Sequence, residues 1–73
     1  MGRKNIIEKT RVYVECTDMH RRIKGKVLTQ DEKQLTVEFP TGAVMALTRR
    51  HKKGEYTFQA GLLEFISDGK LVI

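Results

Sequence analysis

The sequence predicts an all-β fold: a small antiparallel meander of five or six strands, curled into an open or closed barrel. Three observations predict it. Apolar residues recur at every second position, most clearly where Leu35, Val37 and Phe39 alternate with Gln34, Thr36 and Glu38, which is the period of a strand with one buried face. Turn-forming clusters and loops interrupt the chain at frequent intervals, at 17–20, 30–33, 40–42, 49–54 and 67–69, as in a meander of short strands. The chain has 73 residues, enough for one domain around one small core.

Residues 1–9 are polar apart from Ile6 and Ile7 and are expected to form a flexible N-terminal segment or a loosely docked strand, leaving 10–73 as a single small β-barrel domain. From Arg11 the period is two, with Val12, Val14 and Cys16 on one face and Arg11, Tyr13 and Glu15 on the other. After the turn Thr17-Asp18-Met19-His20 the alternation resumes over 21–29, placing Ile23 and Val27 inward and Arg22, Lys24 and Lys26 outward. Gly25 holds an inward position, where a missing side chain predicts a bulge or the close approach of another strand. Gln30-Asp31-Glu32-Lys33 turns the chain into the 34–39 strand. In that strand Val37 and Phe39 should be buried, and Thr36 and Glu38 exposed.

Pro40-Thr41-Gly42 then reverses the chain. The segment 43–48 should pair antiparallel to the preceding strand, with either Val44 and Ala46 or Met45 and Leu47 facing the core. Beyond the basic loop 49–54, Tyr56, Phe58 and Ala60 alternate. Residues 61–66 admit two readings: Phe58, Leu62, Phe65 and Ile66 have helical spacing, whereas Gly61 costs about 1 kcal/mol in a helix interior. The expectation is strand before Gly61, with room for one short C-terminal helical turn after it. Ser67-Asp68-Gly69 reads as a turn, and Lys70-Leu71-Val72-Ile73 as a last edge strand.

Positive charge is concentrated in two runs. His20-Arg21-Arg22-Ile23-Lys24-Gly25-Lys26 and Arg49-Arg50-His51-Lys52-Lys53-Gly54 hold eight of the fourteen Lys and Arg residues and both histidines, with no carboxylate inside either run. The formal net charge is +5. Cation clusters of this kind suit a polyanion, because each phosphate they neutralise releases condensed counterions. In the first run alternation sets Arg22, Lys24 and Lys26 in one outward row at roughly 7 Å intervals, comparable to the phosphate step of a nucleic-acid strand. The second run is consecutive and ends in glycine, as in a loop that closes over a backbone. The structural alternative for both is a solvated surface that discourages edge-to-edge association.

The candidate nucleic-acid-binding residues are therefore Arg21, Arg22, Lys24, Lys26, Arg49, Arg50, His51, Lys52 and Lys53, with Tyr13 as an outward aromatic available for stacking. Phe39, Phe58, Phe65 and Tyr56 are assigned to the core. The function expected is non-enzymatic binding of nucleic acid, RNA ahead of DNA, through phosphate contacts. The alternative is a regulatory adaptor that docks an acidic protein or pairs an exposed strand edge. A receptor for a small phosphorylated ligand requires both runs to line one pocket.

Other chemistries find little support. Cys16 and His20, with the distant His51, make too few ligands for a usual zinc set, and two of the three lie in cationic surroundings, so no metal or cofactor is expected and Cys16 is read as a buried structural thiol. Glu15, Asp18, Glu38, Glu55 and Glu64 are scattered singly and form no acid–base pair. The single cysteine and the absence of an apolar run near the ~20 residues of a membrane span lead to the expectation of a cytoplasmic protein with no membrane partner.

Lys24-Gly25-Lys26-Val27-Leu28, a turn, Leu35-Thr36-Val37-Glu38-Phe39 and Pro40-Thr41-Gly42 together resemble the strand-turn-strand pattern of SH3-like, Sm-like and ribosomal-protein barrels. That resemblance implies an SH3-like barrel. Leu47-Thr48-Arg49-Arg50 followed by Gly54-Glu55 is similar to the opening strand of the carbon storage regulator family of RNA-binding proteins. Here, however, the stretch is internal and interrupted by His51-Lys52-Lys53, and no family is assigned on it.

Overall fold

The computed structural model describes residues 9–49, 51 and 54–73. Residues 1–8, which the sequence assigns to the N-terminal segment, lie outside them, as do Arg50, Lys52 and Lys53. The alternating segments form six antiparallel strands: β1 (Arg11–Cys16), β2 (Arg21–Gln30), β3 (Gln34–Glu38), β4 (Val44–Arg49), β5 (Tyr56–Ala60) and β6 (Leu63–Ser67). They pair in chain order, and β6 returns to β1 to close a barrel. The result is an all-β fold consistent with a small SH3-like barrel, and the described residues include no helix.

The inward rows meet in one cluster. Val12 and Val14 of β1, Leu35 and Val37 of β3, Leu47 of β4 and Tyr56 of β5 are fully buried, and Val27, Phe39, Met45, Phe58 and Phe65 pack around them. Met45 and Leu47, rather than Val44 and Ala46, thus face the core. Cys16 is a free, buried thiol, in line with the structural role read from its alternation with Val12 and Val14. Tyr56 carries the one hydroxyl of the cluster, and it is satisfied: the phenol donates a 2.7 Å hydrogen bond to the Asp31 carbonyl in the β2–β3 turn, as a buried polar tip requires.

Gly25 fulfils the second of its two expected roles. A Cβ there would lie 3.3 Å from the Val37 Cβ and 3.4 Å from the Phe39 ring, so β2 crosses close over the β3 end because it has no side chain at that point. The irregularity in β2 falls instead between Val27 and Thr29, where Leu28 is left 45% exposed.

Four further expectations are corrected. Ile23 faces inward by register, opposite Val14, yet it is 41% exposed, because the β2–β3 ladder begins only at Lys26↔Glu38 and the first half of β2 has a neighbour on the β1 side alone. Thr36 and Glu38 are half-buried rather than exposed, since β3 has a neighbour on each side. Residues 61–66 contain no helical turn: Gly61 (φ 62°) and Leu62 make a two-residue loop, and Ala60↔Leu63 opens the β5–β6 ladder. Two-residue hairpin loops favour positive φ because it matches the twist of the flanking strands. Finally, 70–73 is not a strand. Only Val72 pairs, in a single bridge with Arg11 whose hydrogen bonds measure 3.1 and 2.6 Å.

Closure depends on that short return. The β1–β6 ladder comprises Glu15↔Ile66 and Cys16↔Phe65, extended at one end by the Thr17 amide donating to the Glu64 carbonyl at 3.0 Å. Between Ser67 and Val72 the chain bends at Gly69, with φ 72°, and packs that glycine against the Tyr56 ring. A Cβ on Gly69 would lie 2.5 Å from the Tyr56 Cε1. Gly42 also has positive φ, 93°, but a Cβ there meets nothing within 4 Å.

The β2–β3 turn is held by Asp31, whose Oδ1 accepts the amide protons of Lys33 (2.8 Å) and Gln34 (2.7 Å). These hydrogen bonds, first that from Lys33 and then that from Gln34, hold the Asp31 carboxyl below its ordinary value, because they favour the charged acceptor.

Two predictions follow from this packing. Gly69→Ala combines left-handed strain with a clash against a buried ring, whereas Gly42→Ala carries the strain alone, about 1 kcal/mol; thermal or urea melts should show Gly69→Ala to be the more destabilised, and equal midpoints would refute the packing. Because the Asp31 carboxyl is lowered in the fold, its contribution is complete above the ordinary aspartate range and disappears as pH falls through the folded value. The stability gap between wild type and Asp31→Ala, followed by urea titration from pH 7 to pH 2.5, should accordingly be constant at the upper end and narrow at the lower.

Candidate nucleic-acid interface

The four-residue turn 17–20 sets the register of β1 on β2, and that register decides which outward side chains meet. Cys16 opposes Arg21, and counting back along the ladder gives Glu15↔Arg22, Tyr13↔Lys24 and Arg11↔Lys26. Directly opposed residues have Cβ atoms roughly 5 Å apart. The outer face of the β1–β2 pair therefore carries four cations, Arg11, Arg22, Lys24 and Lys26, around a single aromatic ring.

Tyr13 is 37% exposed and lies beneath two of these cations. The Arg22 guanidinium carbon is 4.3 Å from the ring centroid and the Lys24 Nζ 5.5 Å, both within the range of cation–π attraction. Lys24 also donates to the Ile73 carbonyl at 2.8 Å, which anchors one of its three protons and leaves two for other acceptors. Lys24 and Lys26, with Arg11, line a shallow basin whose rim is Phe39, Pro40 and Gly42; Glu38, opposite Lys26, is its one acidic member. Among the described residues, no side-chain carboxylate forms a salt bridge with Arg11, Arg22, Lys24 or Lys26.

That arrangement costs free energy in the isolated protein. Like charges directly opposite each other on neighbouring strands destabilise the pair, and Arg11 faces Lys26. Water and salt screen the repulsion, and an anion seated between the two would remove it.

The other sequence-derived candidates lie elsewhere. Arg21 is exposed at the start of β2, opposite Cys16 and off the outward row. Arg49 ends β4, half-buried, with its guanidinium carbon 4.1 Å from the centroid of the Tyr56 ring; this contact, apart from the Tyr13 face, helps to cap the barrel. His51 is exposed in the β4–β5 loop, where its carbonyl accepts the Gly54 amide at 2.9 Å. Arg50, Lys52 and Lys53 fall outside the described residues. The loop does reach the Tyr13 face through Glu55, which borders a groove with Tyr13, Glu15, Arg22 and Asp68. At this end, then, the face is of mixed charge, and its cationic character is concentrated toward Arg11, Lys24 and Lys26.

Arg11 is the residue that sequence reasoning passed over. It lies in neither basic run, and only the β1–β2 register brings it beside Lys26. The signal was present in the length of the 17–20 turn, since a hairpin loop of known length fixes every pairing above it. Among the described residues, no group of three His, Cys, Asp or Glu side chains is placed to hold a metal ion. No protein-family model, curated protein or solved structure matches this chain; the fold and this face define it as a small basic β-barrel with one cation-rich sheet face.

Proposed function

We propose that this barrel is a non-enzymatic nucleic-acid-binding domain that contacts the phosphate backbone through the outer face of β1 and β2. The observation that carries the reading is the grouping of Arg11, Lys24 and Lys26 around one basin without a salt bridge to any described side-chain carboxylate. Surface cations in a domain of no binding function are ordinarily interspersed with acids. Here one like-charged pair is held face to face by the strand register, a placement that an incoming phosphate converts from repulsive to attractive. Arg22 extends the cationic row past Tyr13.

A second reading, the adaptor, is favoured by one feature. β4 pairs β5 only through Thr48↔Thr57 and Arg49↔Tyr56, which leaves 44–47 without a β5 partner along that side, and an extended peptide can add to such an edge. Edge addition depends on main-chain hydrogen bonds and responds weakly to salt. Phosphate binding responds strongly.

Titration of the protein with a labelled RNA at several salt concentrations distinguishes the two. Log affinity should fall with log salt by 0.7 to 0.9 per phosphate contacted, and the Arg11→Ala, Lys24→Ala, Lys26→Ala triple variant should flatten the slope by roughly two to three units while melting close to wild type. No RNA binding at low salt, or a slope unchanged in the folded triple variant, would refute the proposal. Arg11→Thr provides a check of opposite sign: relief of the repulsion with Lys26 should raise stability by about 0.2–1 kcal/mol at low salt while weakening RNA binding.

A further inference from the structure

Tyr13 and Arg22 do more than add to the charge of this face. The ring projects from the middle of the outward row, 37% exposed, and the guanidinium lies over it at 4.3 Å, itself exposed to solvent. A guanidinium is planar and delocalised, and stacking on an aromatic ring fixes its plane. The cation is thus held over the outward face, 4.3 Å from the centre of the Tyr13 ring. Its partner across the ladder is Glu15, yet no salt bridge joins the two, and the Tyr13 ring is the contact that holds the guanidinium.

We infer that the nucleic acid this face takes is single-stranded, with an unpaired base stacking on the Tyr13–Arg22 platform while Arg11, Lys24 and Lys26 hold the adjoining phosphates. The inference rests on the proposed nucleic-acid reading and narrows its substrate class. Three features support a single strand. In a duplex the faces of the bases are covered by their neighbours, so a stacked ring and guanidinium gain contact only with bases that are unstacked. The outward residues of β2 recur at roughly 7 Å, a step that an extended single strand matches along its own backbone. Groove reading of a duplex uses an inserted helix or β-ribbon, and this face is the side of a closed barrel, without a helix among the described residues. Lys24 links the two parts of the site: its Nζ lies 5.5 Å from the Tyr13 ring, and the residue lines the basin with Arg11 and Lys26.

The test uses a uridine 12-mer and a blunt RNA duplex of the same length, with affinity read by fluorescence anisotropy at two salt concentrations. The single strand should bind at least 10-fold more tightly than the duplex. Tyr13→Ala should lose roughly 5- to 150-fold for the single strand, the range of one base–aromatic stack, and Tyr13→Phe should retain most of the affinity. Arg22→Lys keeps the charge and removes the plane, so it should leave the salt slope unchanged and erase the preference for the single strand. A direct readout is available because the protein has no tryptophan and two tyrosines, of which Tyr56 is buried: the 12-mer should quench tyrosine emission in wild type and not in Tyr13→Phe. Equal affinity for both RNAs, or a folded Tyr13→Ala variant that binds like wild type, would overturn the platform while leaving salt-dependent backbone binding standing. Absence of binding to either RNA at low salt would overturn both.

Discussion

Strand β1 has three partners, and the rest of the barrel depends on it. It pairs along its full length with β2, meets β6 at Glu15 and Cys16, and meets the C-terminal segment at Arg11. One row of its side chains, Val12, Val14 and Cys16, is driven inward by the hydrophobic effect. The opposite row, Arg11, Tyr13 and Glu15, is obliged by the pleat to face solvent. Burial of the first row therefore determines the display of the second. A slip of one residue in this pairing would expose the valines and bury an arginine and a tyrosine together, so the register that secures the core also secures the outer face.

Each end of the barrel is finished by a different device. At one, the Tyr56 ring fills the space beneath Gly69, donates through its hydroxyl to the Asp31 carbonyl, and receives the Arg49 guanidinium on its face. A single aromatic thereby joins β5, the β2–β3 turn, the β6 exit and the end of β4. Elsewhere the chain is left open: β2 runs past the end of β3 over its first half, which exposes Ile23 and leaves Arg22 and Lys24 paired on the β1 side alone. The cationic row on this stretch has its access to solvent from the outward side of the pleat. Charged residues on it also guard the unpaired edge against association with another sheet, so protection of the edge and binding of an anion make the same demand on this stretch.

Much of the fold was legible in the residues alone. The six-residue alternation around Val12 and Val14, the 34–39 strand and the turn at 40–42 each express a local rule, and a local rule is visible in sequence. The errors share one cause. Ile23 obeys the period and is nevertheless exposed, because burial depends on what lies across from it. Phe58, Leu62, Phe65 and Ile66 have helical spacing, but Gly61 adopts positive φ and a hairpin pairs 56–60 with 63–67. The long-range ladder with β1 then makes a strand of what local spacing left open.

The candidate site divides in the same way. Sequence alone determined that Arg22, Lys24 and Lys26 would share a face and that Tyr13 would point away from the core, since both follow from the two-residue period of a strand. Only the tertiary structure decided that these two rows are one surface, that Arg11 joins it, that the Arg22 guanidinium lies on the Tyr13 ring, and that Arg49 packs on Tyr56 instead. Such facts depend on register and closure, which are set by hydrogen bonds between residues far apart in the chain. Periodicity specifies which side of its own strand a residue occupies; which residue stands opposite is specified by the pairing of that strand with another.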